Sequence, residues 1–243
     1  MKINKVKKNL LVALFLGLLI AGSLVFYAYA RTWGKTELEV KIHINEQLIL
    51  QSVYGESPTF AIWIENPETK ETQTIFVTQR AGLDDWEGKA AVPSALPQWD
   101  GISKKKTQDE KADMGIDAVS GATPKPGYFT TRVQVKPGSK WNCWIEMNLS
   151  GDYNEHYPEY DEVSKKTDDF GTGQPALLYK AHIEAEKGNT VVPEVIGISV
   201  LNSDGEIIRP VEGITTALEV FDEIAISVVK PKPRILQVKK KSN

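Results

Sequence analysis

In "SKWNCWIEMNL", residues 139–149, Trp141, Cys143, Ile145, Met147 and Leu149 fall at every second position. A repeat of two marks extended chain, whose successive side chains leave opposite faces of a sheet; a helix would spread the same five residues around its circumference. The repeat recurs. In "TELEVKIHI", 36–44, Leu38, Val40, Ile42 and Ile44 share one face. "TFAIWIEN", 59–66, is apolar on both faces and predicts a strand central in its sheet. "TQTIFVTQ", 72–79, follows the turn-forming "NPETKE" and reads as its hairpin partner. "YFTTRVQV" (128–135), "ALLYKAHIEAE" (176–186) and "EIAISVVK" (223–230) are further strands. "EVIGISVLNSDGEIIRPV", 194–211, holds Asn202-Ser203-Asp204-Gly205, a hairpin turn. Eight or more strands with short turns predict an all-β fold, an antiparallel immunoglobulin-like β-sandwich spanning residues 31–230. The chain has one cysteine, so no intramolecular disulfide can form and the core alone holds the fold. Cys143 itself reads as a small buried hydrophobe of its strand.

Two segments break the pattern. Residues 80–114 contain Trp86, Pro93, Pro97 and Trp99, then the charged "SKKKTQDEKAD"; one or two short helices are expected there. Residues 150–175 form a polar loop rich in tyrosine. Loops of this length inside a compact domain are usually functional or mobile.

The N-terminus answers to a different solvent. Lys2, Lys5, Lys7 and Lys8 precede the uncharged run "LLVALFLGLLIAGSLVFYAYA", 10–30. A bilayer-spanning helix needs about 20 apolar residues, whereas the apolar run of a cleaved signal is about 7–15. The length predicts a transmembrane anchor over 9–30 with a basic cytoplasmic segment at 1–8. Ala28-Tyr29-Ala30 supplies the alternative, a cleavage site after Ala30 that would release a secreted or periplasmic protein. In either case the lysines stay inside and the rest crosses the membrane. No cysteine marks a lipoprotein cleavage site. The part beyond residue 30 has 25 Lys and Arg against 32 Asp and Glu, a formal −7, which argues against a nucleic-acid partner. The tail, 231–243, is locally basic and reads as a solvated terminus.

Catalytic patterns are scarce. His43, His156 and His182 lie far apart, and HExxH, CxxC, EF-hand, Walker and GxGxxG patterns do not occur. "DDFG", 168–171, stands without the rest of the kinase set. No constellation supports a hydrolase, and a carrier or binding role is expected over catalysis. The loop 150–162 gathers Asp152, Glu155, Glu159, Asp161 and Glu162 with Tyr153, Tyr157, Tyr160 and His156. It offers a cation carboxylates or a ligand aromatic faces. Its carboxylate spacing fits no ordered cation site, so a solvated acidic loop is the competing reading.

Asp117-Ala118-Val119-Ser120-Gly121-Ala122-Thr123 reads D-x-x-S-G-A-T. It resembles the signature of exported domains to which a bacterial flavin transferase attaches FMN through a phosphoester on the last threonine. The match is complete at every constrained position, roughly a once-in-several-thousand-chains coincidence at average residue usage. The resemblance implies Thr123 as the FMN attachment residue, with Asp117, Ser120, Gly121 and Ala122 as recognition residues. It also implies a flavin transferase and a membrane redox protein as partners. Small neighbours suit it, because Gly121 and Ala122 permit close backbone approach. Pro124-Lys125-Pro126-Gly127 departs from the usual sequel and is turn chemistry leading into the strand at Tyr128.

A wider resemblance covers most of 36–186. "FAIWIEN", "DAVSGATPKPG" and the strands that follow are similar to an exported bacterial family, domain of unknown function 2271. "SGDYNEHY" and "GTGQPALLY" resemble signatures of its longer, membrane-associated branch. That family carries the SGAT-like segment, so it adds no independent support for flavin. Two functions therefore stand side by side. One is a membrane-anchored electron-transfer flavoprotein with FMN on Thr123. The other is a cofactor-free immunoglobulin-like module of the cell envelope, in which 117–127 is a turn and Gly121 takes positive φ.

Overall fold

The alternating segments become two facing sheets. The computed structural model describes residues 2–88, 91–92, 95–109, 120–200 and 206–231. In chain order the elements are α1 (Lys2–Thr32), β1 (Thr36–Ile44), α2 (Glu46–Ile49), β2 (Thr59–Glu65), β3 (Thr72–Thr78), α3 (Gln79–Gly82) and α4 (Pro97–Asp109). Then come β4 (Ser120–Gly121), β5 (Gly127–Val135), β6 (Lys140–Asn148), β7 (Tyr160–Asp161), β8 (Lys166–Thr167), β9 (Ala176–Glu184), β10 (Thr190–Val191) and β11 (Glu194–Ser199). A 3₁₀ turn, Thr216–Glu219, and β12 (Phe221–Val229) complete the set. One sheet runs β10-β12-β1-β5 and the other β11-β9-β6-β2-β3-β4, while β7 and β8 form a ribbon of their own. Neighbours pair antiparallel except β3 and β4, which are parallel.

The sandwich core lies between the sheets. Leu38, Val40, Ile42 and Ile44 of β1 face Phe60, Ile62 and Ile64 of β2, Cys143, Ile145 and Met147 of β6, and Leu177, Tyr179, Ala181 and Ile183 of β9. These are the residues that the period of two assigns inward. β2 sits between β6 and β3, as its two apolar faces predict.

Alternation suggests one buried face for β6, but both are buried. The outer face of the larger sheet is covered by the excursion that contains α4, through Val92, Ala95, Leu96 and Trp99 against Ala61, Trp63, Val77 and Leu178. Trp63 and Trp144 stack across β2 and β6 with ring centroids 5.9 Å apart. α3 and α4 are the helices expected in 80–114; α2 and the 3₁₀ turn are additional. The 202–205 turn lies outside the described residues; among the described residues beyond it, Ile208 bridges Ile198 of β11.

α1 stands clear of the sandwich along most of its length. Lys7–Thr32 is long and apolar enough to cross a membrane. Leu10, Leu14, Phe15 and Leu18 stand exposed. Only Trp33–Lys35 separate α1 from β1.

Candidate functional site at the far end of the sandwich

Register decides which end of the sandwich each segment occupies. β1 pairs with β5 from Thr36–Val135, next to α1, to Ile44–Gly127 at the opposite end. β5 turns into β6 beside α1, so the other end of β6, where Asn148 meets Thr59, is also far from α1. Thr123 precedes Gly127 and therefore lies at the far end. At about 3.3 Å per residue, the length of β1 puts it roughly 26 Å from the α1 end.

Two of the motif residues are held by a sheet edge. Ser120 and Gly121 pair in parallel with Val77 and Thr78 on the outer edge of the larger sheet. β5 is the outer edge of the smaller sheet. Residues 122–126 thus cross from one sheet to the other, outside both ladders, with Ala122 exposed and Thr123 half-buried. Asp117 lies outside the described residues. Gly121 does not adopt positive φ; Gly127 does, at 100°. What demands a small residue at 121 is packing: a Cβ there would sit 2.8 Å from the Phe76 ring. Phe76 belongs to a cluster at the far end of the core, 5.1 Å from Phe60 and 4.6 Å from Phe129 by ring centroids.

Two aromatic surfaces flank this linker. On the larger sheet, Trp86 and Trp99 line a crevice of about 310 Å³ with Ala81, Asp84, Leu96 and Asp100. Gly82, next to Ala81, packs against Val77 and Ser120. Trp99 is buried beneath the helical cover, whereas Trp86 is half-buried and donates to Asp84. On the outer face of the smaller sheet, Tyr128 is 63% exposed. Its ring centroid is 4.6 Å from that of His43, and Lys41 Nζ lies 4.1 Å from it. Glu223 takes hydrogen bonds from Lys41 and Tyr128, both 2.8 Å, and His43 Nδ1 meets Asp222 at 2.6 Å. Bonding to Glu223 raises the Lys41 and Tyr128 pKa values and lowers that of Glu223 itself.

The tyrosine-rich loop docks on the same end. "SGDYNEHY" and "GTGQP" come together there. Gln174 Nε2 donates to Asp152 Oδ2 (2.8 Å) and to Thr216 Oγ1 (2.7 Å), and Thr216 also bonds Asp152. Thr215 N donates to Gln174 Oε1 at 2.7 Å, and Asn154 Nδ2 donates to the Gly213 carbonyl at 2.8 Å. Burial raises the Asp152 pKa despite its bond from Thr216. Asp152 is thus a structural tie, while Glu155, Glu159 and Glu162 stay exposed. Among the described residues no group of three or more His, Cys, Asp or Glu is placed to hold a metal ion.

A second tie escapes the sequence. Glu146 Oε1 and Oε2 accept from Gln98 N (3.0 Å) and Trp99 N (2.8 Å) at the start of α4, and Ser199 Oγ donates to it as well. These amides have no partner within the helix, so the carboxyl caps it from the neighbouring strand. Burial pushes Glu146 up to about 7. An acid among apolar residues of a strand was the signal for such a cap, but its target is 47 residues away in the chain.

Residues 37–141 match the DUF2271 family of predicted periplasmic proteins. The match runs from the second residue of β1 to the second of β6 and includes the whole D-x-x-S-G-A-T segment. It ends short of residue 186, so "SGDYNEHY" and "GTGQPALLY" lie beyond the DUF2271 segment. No curated protein and no solved structure matches the chain.

Proposed function

We propose that this is a membrane-anchored, extracytoplasmic electron carrier with FMN esterified to Thr123. The observation that carries the reading is the position of Thr123: on an unpaired linker across the two sheet edges, at the end farthest from α1. A transferase has to bring the hydroxyl to a flavin phosphate, and a chain segment outside both ladders yields without breaking a sheet. The residues present fit the group. Ala122 adds no bulk, Thr123 supplies the oxygen, and Trp86 or Tyr128 with His43 offers a face to a flat ring. The flavin, when bound, supplies the redox chemistry. The protein's part is to hold it and to set its height. With α1 as a single-pass anchor, Thr123 stands a full strand length above the bilayer, so its redox partner has to reach that far out of the membrane. The anchor reading draws support from the 10–30 run, which at 1.5 Å per helical residue is about 31 Å long against a hydrocarbon core of about 30 Å.

The test is co-expression with and without an active flavin transferase, read by flavin fluorescence in a denaturing gel and by intact mass. Fluorescence dependent on the transferase and lost in Thr123→Ala is expected. An unmodified mass beside an active transferase overturns the reading.

One observation favours a second reading, the cofactor-free envelope module. The Phe76 ring accounts for Gly121 by packing alone, so part of the motif has a structural reason to exist.

A further inference from the structure

At the α1 end the sandwich carries a groove of about 760 Å³, lined among others by Tyr29, Trp33, Lys35, Pro137, Lys187 and Lys230. Four chain segments meet there: the exit from α1, the β5–β6 turn, the loop before β10, and the end of β12. Three of its lining residues are lysines and none is acidic. None of the three lysines forms an ion pair among the described residues. This stands out in a chain whose exported part is acidic overall.

We propose that this groove binds the phosphate headgroup of an anionic phospholipid of the bilayer in which α1 sits. The inference rests on α1 being a retained anchor. A hydrocarbon-spanning run that ends at Ala30 places Trp33, Gly34 and Lys35 at headgroup depth. Trp33 is 86% exposed and Tyr29 60%. Such amphipathic rings settle at the membrane interface, apolar body inward and polar edge outward. The groove walls are correspondingly mixed. Half-buried Val229 and Pro231 offer apolar surface to the start of an acyl chain, while Lys35, Lys187 and Lys230 supply the positive charge for the phosphate. Lysine beside an anionic leaflet is worth about fivefold in association per residue, and the attraction weakens over a Debye length as salt rises. A headgroup held here from the sandwich side would fix the domain against the bilayer and keep its far end pointing outward.

The experiment uses the full chain in detergent, titrated with phosphatidylglycerol or phosphatidylcholine and read by native mass spectrometry. Expected is selective retention of phosphatidylglycerol that declines with salt. The triple variant Lys35→Gln, Lys187→Gln, Lys230→Gln should retain it on the order of 100-fold more weakly, with unchanged far-ultraviolet dichroism. A second variant, with Lys239, Lys240 and Lys241 changed to Gln, separates the groove from the basic tail and should retain the lipid as the native chain does. Equal retention of both lipids, an unaffected triple variant, or loss in the tail variant overturns the proposal while leaving the anchor standing. An intact mass beginning at residue 31 overturns both.

Discussion

Replacing Glu146 by glutamine tests whether one buried carboxyl ties α4 to the larger sheet. The group has no solvent contact and takes bonds from Gln98 N, Trp99 N and Ser199 Oγ. Burial is the largest influence and pushes its pKa from 4.5 to about 7, against the pull of the three donors. Between those values the folded chain holds a proton that the unfolded chain has released. Stability from this group is therefore complete below pH 4.5, falls as pH rises, and is gone above about pH 7. The displacement is worth about 3 kcal/mol. Glutamine keeps the shape and cannot ionise. Asp152, whose pKa is raised, and Asp161 and Glu223, whose pKa values are lowered, also make stability depend on pH, so the informative quantity is the difference between the two proteins. The assay is urea unfolding of the full chain in detergent, followed by tryptophan emission across this pH window. Native stability minus variant stability should fall by about 3 kcal/mol from the acid to the alkaline end. Parallel profiles would refute the reasoning, because they would mean that Glu146 ionises as freely in the folded chain as in the unfolded one.

Two further changes probe the scaffold. Gly173→Ala puts a Cβ 2.6 Å from the Asp152 carbonyl oxygen at a φ of +65°, where backbone has to move; a loss of more than about 2 kcal/mol is expected by the same urea titration. Cys143 is fully buried and its thiol is pushed up to about 12 by burial, so it should stay unlabelled by a thiol reagent at pH 8 and react at the unfolding rate in denaturant.

The fold was largely legible because alternation is a local property. Whether Trp141, Cys143, Ile145 and Met147 share a face depends only on the geometry of extended chain, and Cys143, Ile145 and Met147 lie in the core with Trp141 packed against it, as that geometry requires. The second buried face of β6 was not legible. Asn142, Trp144, Glu146 and Asn148 look like an outward row until α4 covers Trp144 and Glu146, Glu65 bonds Asn142, and the Thr172 and Gln174 carbonyls bond Asn148. The candidate site divides the same way. The seven-residue motif can be read directly, but its place at the sheet edges depends on register across the whole sandwich. The Asp152–Gln174–Thr216 tie joins segments 22 and 42 residues apart, and no spacing rule reaches across such loops.

By itself, then, the chain's own pattern determined an N-terminal helix with an uncharged run over 10–30, a sandwich core built on every second residue, and an SGAT segment entering a strand. Each follows from the solvent preference or backbone period of neighbouring residues. Tertiary structure decided the rest. It set Thr123 a strand length away from α1, made Gly121 a packing requirement of Phe76 instead of a left-handed turn, and gathered three lysines from distant segments into one groove. The physical reason is that sheet pairing fixes which ends of separate strands meet, and that register is set by the summed burial of the whole core.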